Sequence, residues 1–205
     1  MGQIIVEKDL DGIEGLCLIT PALHDDERGY FMESYSRRDM EEAGFNISFV
    51  QDNQSMSTKG VLRGLHFQTE HPQTKLVRVL RGEVFDVAVD LRKGSKTFGK
   101  WHGEILSEDN RKQFLIPRGF AHGFLVLSDV AIFLYKCDEF FYANDRGGIA
   151  WNDPGIGIHW PGVTGEYKGT ASADGYRLDG IELIMSEKDQ CSMGFEEFCS
   201  VPDMD

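Results

Sequence analysis

Apolar residues along this chain fall in short runs separated by turn formers, most clearly between residues 60 and 91. Residues 61–67, 76–80 and 84–91 each read as a strand, with Pro72 and the Arg81-Gly82 pair breaking the chain between them. Alternation in the third run puts Phe85, Val87 and Val89 on one face and Asp86, Ala88 and Asp90 on the other. A strand with one mixed polar face predicts a barrel whose interior is used. Upstream, residues 4–19 predict two strands joined at Asp11-Gly12, the second ending at Pro21. Residues 37–43 predict a short helix stopped by Gly44, and residues 47–52 another strand. Residues 53–60 are polar and without periodicity, which predicts a loop. Downstream, residues 100–106 and 131–136 read as strands, and 114–127 as two apolar runs divided by Pro117 and Gly119. Residues 151–161 are too often broken by Gly and Pro for a helix. Many short strands with almost no long helical pattern predict an all-β sandwich or barrel.

The 205 residues suit a single domain over 1–205 with room for a large core. Residues 162–182 are rich in Gly, Ser and Thr and predict an exposed insertion. No apolar run reaches the roughly twenty residues of a membrane helix. Residues 1–15 show no basic start followed by an apolar block, so neither signal peptide nor anchor is expected, and the expected location is cytoplasmic. Twenty-one Lys and Arg against thirty-four Asp and Glu give a net charge of -13, which argues against nonspecific nucleic-acid binding. An anionic small molecule still fits if a few cations converge in a cleft, because local geometry outweighs bulk charge at hydrogen-bonding distance. Cys17, Cys137, Cys191 and Cys199 are scattered without metal-ligand spacing and read as reduced thiols.

Within the strand runs, His66 is a side chain able to take a proton near neutral pH, and Lys75 opens the next strand. Each also has a plainer reading, as a hydrogen-bonded core histidine and a solvated strand end. His122 lies between alanine and glycine in the second apolar stretch, and Tyr135 sits on a later strand. Arg28 reads as an anion ligand or a loop charge, and Gln51 and Asn53 offer amides suited to a base or sugar or to turn stabilisation.

Taken together, several stretches resemble the thymidine-diphosphate-4-dehydrorhamnose (dTDP-4-dehydrorhamnose) 3,5-epimerase family. They are Arg63-Gly-Leu-His66-Phe-Gln68, Lys75-Leu-Val-Arg78, the run from Gly82 to Arg92, Ile116-Pro-x-Gly-Phe-Ala-His122-Gly-Phe, Phe133-Leu-Tyr-Lys136 and the tryptophan-rich segment at 151–161. The match runs in order from about Asp26 to Pro161 and resumes at Ser186-Glu-Lys-Asp189. The resemblance implies a double-stranded β-helix, the cupin jelly roll, working without cofactor or metal as a homodimer that exchanges an N-terminal strand. It implies a dTDP-linked 4-keto sugar as substrate, with no nucleic-acid or membrane partner. Carried onto matching positions, it makes His66 the general base, Asp189 its acidic partner, Tyr135 the general acid and Lys75 the cation beside the enolate oxygen. Arg28, Glu33, Gln51, Asn53, Arg63, His122 and Lys188 match substrate-binding positions, as Lys75 also does.

Three departures stand out. Phe140 and Phe141 occupy positions where the family commonly has tyrosines, Arg146 replaces a frequent acid, and the insertion separates Asp189 from the core. A 3-only or 5-only epimerase therefore stays open beside the double inversion. So do a metal-dependent cupin, although His66-Phe-Gln68 lacks the second histidine of its His-x-His pair, and a ligand-binding cupin without catalysis. Strict alternation also puts Arg63 and His66 on opposite faces; either a bulge at Gly64 brings both toward one interior, or Arg63 serves a different part of the ligand.

Overall fold

The computed structural model describes residues 4–161, 177–178 and 181–200. Its strands are β1 (Ile4–Glu7), β2 (Cys17–Pro21), β3 (His24–Asp26), β4 (Gly29–Phe31), β5 (Gln51–Thr58), β6 (Leu62–Gln68), β7 (Lys75–Arg81), β8 (Glu83–Asp90), β9 (Trp101–Ser107), β10 (Gln113–Ile116), β11 (Phe120–Val126), β12 (Val130–Cys137), β13 (Arg146–Gly148), β14 (Arg177–Leu178) and β15 (Ile181–Glu182). Short helices α1 (Arg37–Glu42), α2 (Glu187–Gln190) and α3 (Phe195–Ser200) lie outside the sheets. Six strands form one sheet in the order β1-β2-β10-β7-β12-β5, and five form a second in the order β13-β6-β11-β8-β9. All of these ladders are antiparallel.

The main core lies between the sheets. Val77, Val79, Phe114, Ile116, Ala131 and Phe133 come to it from the larger sheet, and Val84, Ala88, Leu106, Phe120, Phe124 and Val126 from the smaller. Alternation along β8 is as the sequence predicts: Val84 and Ala88 point into this layer, while Phe85, Val87 and Val89 face a second cluster outside. That outer cluster is covered by Ile149, Trp151, Ile156, Ile158 and Trp160, so β8 and β11 are buried on both faces. A third cluster on the outer face of the larger sheet packs Cys17, Ile19, Leu76 and Leu115 against Met40 of α1. Ser36 caps α1 by accepting from the Asp39 amide, and Gly44 follows with φ +95.

Two expectations from the sequence need correction. Residues 53–60 are not a loop: β5 runs from Gln51 to Thr58 and pairs with β12 through eight residues. The predicted strand at 47–52 is instead mostly irregular chain, with Ile47 and Phe49 packed on the third cluster. The reason is that β5 turns polar side chains, Asn53 and Ser55 among them, toward a cavity, so it carries no apolar alternation to read. The insertion expected at 162–182 lies largely outside the described residues.

Candidate active site

A cavity of about 350 Å³ opens between the sheets and is lined in part by Asn53, Arg63, His66, Lys75, His122 and Tyr135. Phe124 stacks on Phe133 at 4.3 Å between ring centroids, and His122 and Tyr135 flank Phe133 at 6.1 Å each. This aromatic row forms one wall. His66 and His122 are register partners across β6 and β11, which sets the two imidazoles side by side.

Arg63 reaches the same cavity because β6 is irregular between them. Opposite His122 and Phe124 stand His66 and Arg63, so two residues, Gly64 and Leu65, face the single Gly123. Gly64 has φ +123, and a Cβ there would meet Gly123 Cα at 2.5 Å and the His122 carbonyl oxygen at 2.7 Å. Only glycine accommodates that backbone and that approach.

Each histidine is held by its own carboxylate. His66 Nε2 contacts Asp189 Oδ1, and Asp189 is fixed in turn by the Ser186 hydroxyl, which donates to Oδ2 at 2.7 Å. Ser186 also caps α2, and that short helix places the carboxylate over the β6 imidazole. His122 Nε2 lies 3.0 and 3.1 Å from the two oxygens of Asp86, which is fully buried. Among the described residues no cluster of three His, Cys, Asp or Glu side chains is arranged to hold a metal ion.

Burial shapes the proton affinities. It pushes His66 below the usual histidine value; Asp189 opposes this, while the charges of Arg146 and Lys75 add to it. Burial alone would raise Asp189, but hydrogen bonds from His66 and Ser186, with the Arg146 charge, hold it below the usual carboxylate range. Burial lowers Lys75 against the opposing pull of Cys137 and Asp86. Tyr135 is raised, by burial first and then by Cys137, with Arg63 opposing, so its phenol keeps its proton at neutral pH.

Four other sequence-predicted residues do not line this cavity. Arg28 is exposed and paired with Asp26 at the β3–β4 turn, and Glu33 is exposed. Lys188 lines an adjoining hollow that shares His66 and Arg146. Gln51 sits one step removed, donating to Asn53 at 2.9 Å and accepting from the Phe141 amide at 3.1 Å. The structure adds Arg146, Gln68, Gln73 and Phe141 to the lining. Gln68 is an organiser of the mouth: its amide donates to the carbonyls of His71 and Phe140 and accepts from the Tyr142 amide. Asp86 was visible as a polar position on the inner face of its strand, but its pairing with His122 depends on the β8–β11 contact. No local pattern marks Gln73.

A profile of the dTDP-4-dehydrorhamnose 3,5-epimerase family matches residues 11–197. The chain belongs to this family. A dTDP-4-dehydrorhamnose 3,5-epimerase of Methanothermobacter thermautotrophicus is 58% identical over 179 residues, covering 87% of this chain and 88% of that protein. The dTDP-6-deoxy-D-glucose-3,5-epimerase of Legionella pneumophila, solved with dTDP-4-keto-L-rhamnose, superposes with a TM-score of 0.82 at 44% identity, covering 95% of this chain and 94% of that one. The Bacillus anthracis dTDP-4-dehydrorhamnose 3,5-epimerase, solved with TDP and PPi, gives a TM-score of 0.80 at 41% identity, covering 95% of this chain and all of that one, or 100%. Membership makes the chain an isomerase with a cupin-like fold, in agreement with the resemblance in its motifs.

Proposed function

We propose that this chain converts dTDP-4-dehydro-6-deoxy-D-glucose to dTDP-4-dehydro-L-rhamnose, inverting C3 and C5 through an enolate in dTDP-L-rhamnose biosynthesis. The observation that carries the reading is the composition of one cavity: a carboxylate-held histidine, a half-buried lysine and a protonated tyrosine converge there. Among the described residues its lining includes the cations Arg63, Lys75 and Arg146 and no carboxylate, which suits an anionic substrate despite the net charge of -13.

In a 4-keto sugar the hydrogens on C3 and C5 are both α to the carbonyl. His66 takes one; the electron pair of the broken C–H bond forms a double bond to C4, and the π pair of the carbonyl moves onto its oxygen to give the enolate. Lys75 stabilises the oxyanion that develops. Asp189 accepts the N–H of His66, fixes its tautomer and stabilises the imidazolium. Tyr135 then donates its proton to the opposite face of the same carbon, which inverts the centre. His66 now carries an extra proton and Tyr135 lacks one, so both exchange with solvent before the second inversion. Arg63, Asn53 and His122 contact the substrate from the cavity wall.

The chain works as one domain in the cytoplasm, without cofactor. It forms a homodimer in which the β3–β4 hairpin reaches a second copy and delivers Arg28, with Glu33, to the neighbouring cavity. Supporting this, the hairpin pairs with neither large sheet, and Tyr30 and Phe31 are 55% and 64% exposed. Gln51 and Lys188 complete the rim around the nucleotide.

The test is conversion of dTDP-4-dehydro-6-deoxy-D-glucose, followed by reduction of the keto group and NMR assignment of the product. Inversion at both C3 and C5 supports the reading. Inversion at one centre makes the protein a mono-epimerase, and binding without any inversion makes it a ligand-binding cupin.

A further inference from the structure

One nitrogen of His66 carries two partners with opposite requirements. Nε2 contacts Asp189 Oδ1 and also lies 2.6 Å from Arg146 Nη2. A guanidinium can only donate, so Arg146 needs a lone pair on Nε2; a carboxylate can only accept, so Asp189 needs a proton there. Neutral imidazole satisfies one of them at a time. With the proton on Nε2 and Asp189 as partner, the other ring nitrogen keeps a lone pair and can act as base. With Arg146 as partner, the proton sits on that other nitrogen and the base is blocked.

The surroundings of His66 show which partner is less firmly held. Asp189 comes from α2 and is buried and held by Ser186. Lys75 from β7, Tyr135 from β12, His122 from β11 and Arg63 from β6 itself face the same cavity, and Lys188 shares an adjoining hollow with His66. Arg146 stands on β13, the edge strand of its sheet, and its side chain lines the catalytic cavity and two adjoining hollows. Besides Nε2 it touches Asp189 Oδ1 at 3.3 Å. Its guanidinium is therefore the less firmly held of the two partners, on an exposed residue at the edge of the sheet.

We propose that Arg146 is a positioning residue that latches the base: it holds His66 in the blocked tautomer while the cavity is empty and is drawn off by the diphosphate of the entering nucleotide sugar. The inference rests on the proposed substrate being a nucleoside diphosphate sugar. Two phosphates offer a guanidinium several charged acceptors, against one ring nitrogen and one shared carboxylate oxygen at His66. Release leaves Asp189 as the sole partner of Nε2 and sets the reactive tautomer at the moment the sugar arrives. The lowering of the His66 and Asp189 proton affinities by the Arg146 charge is in keeping with a guanidinium that lies against both groups.

The experiment is ¹⁵N NMR of the His66 ring in the full chain at neutral pH, with dTDP as the probe. In the wild type the signal of Nε2 should be that of an unprotonated nitrogen without dTDP and of a protonated one with saturating dTDP. Arg146→Gln should show the protonated Nε2 signal in both conditions and bind dTDP about tenfold more weakly, the loss expected for one charge-assisted hydrogen bond. A protonated Nε2 in the empty wild type, an unchanged tautomer on adding dTDP, or undiminished dTDP affinity in Arg146→Gln would each overturn the latch. So would a wild type that does not bind dTDP. These readouts need no turnover, so an inactive wild type whose tautomer switches with dTDP would count against the epimerase reading and uphold the latch.

Discussion

At the level of single residues, the proposed mechanism divides the inversion between two side chains on different sheets, His66 on β6 and Tyr135 on β12. Tyr135→Phe keeps the base and removes the donor, so it should still exchange deuterium at C3 or C5. Productive inversion at one or both centres should fall by about a hundredfold to ten-thousandfold. Comparing exchange with inversion by NMR in the same sample checks this. The environment of His66 also sets a pH dependence. Burial, Arg146 and Lys75 press its pKa below the ordinary 6.5 against the pull of Asp189, and catalysis needs the neutral ring. Activity should therefore persist as pH falls through 6.5 and be lost only as it passes the depressed value, which a kcat/KM profile over roughly pH 5 to 8 would show. His66, Lys75 and Tyr135 were legible as candidates because each is a reactive group within a strand run. The partners were not: Asp189 lies 123 residues from His66, and only the family resemblance connected them. Arg146 was legible only as a departure, since nothing local places an edge-strand arginine against a distant imidazole.

Among the elements, β6 carries most of the positioning, and Gly64 is its decisive residue. Of the two alternatives left open by the alternation, the register shift opposite Gly64 is present, and it allows Arg63 and His66 to line one cavity. Gly64→Ala should destabilise the fold by about 3 kcal/mol, because a Cβ at 2.5 Å from Gly123 forces the β6–β11 ladder apart in a backbone region that suits glycine. Chemical denaturation would measure the loss, and a neutral result would show that the ladder yields more easily than its packing suggests. The strands that were readable from the sequence, β1, β2 and β6 to β12, bury apolar side chains on at least one face, so periodicity reports them. β5 escaped notice because its inner face is the cavity wall, and β3 and β4 because all six of their residues are exposed. Function and legibility oppose each other at such elements: a strand that serves a ligand or a partner gives up the pattern by which strands are recognised.

For the molecule as a whole, net charge and site charge have opposite signs, and the cavity gathers three cations from three different strands, β6, β7 and β13. A second copy bringing Arg28 would add another. A dimer should accordingly be found by light scattering at assay concentrations, and Arg28→Ala should weaken dTDP binding by about tenfold while leaving the dimer intact. A monomer with full activity would exclude the exchanged hairpin. In the proposed mechanism one base in one cavity serves both stereocentres. This is tested most directly by running the reaction in deuterium oxide with the wild type and with folded His66→Asn, and measuring deuterium at C3 and C5. The wild type should incorporate label at both carbons and His66→Asn at neither, whereas wild-type exchange in the variant would show that another group removes the protons.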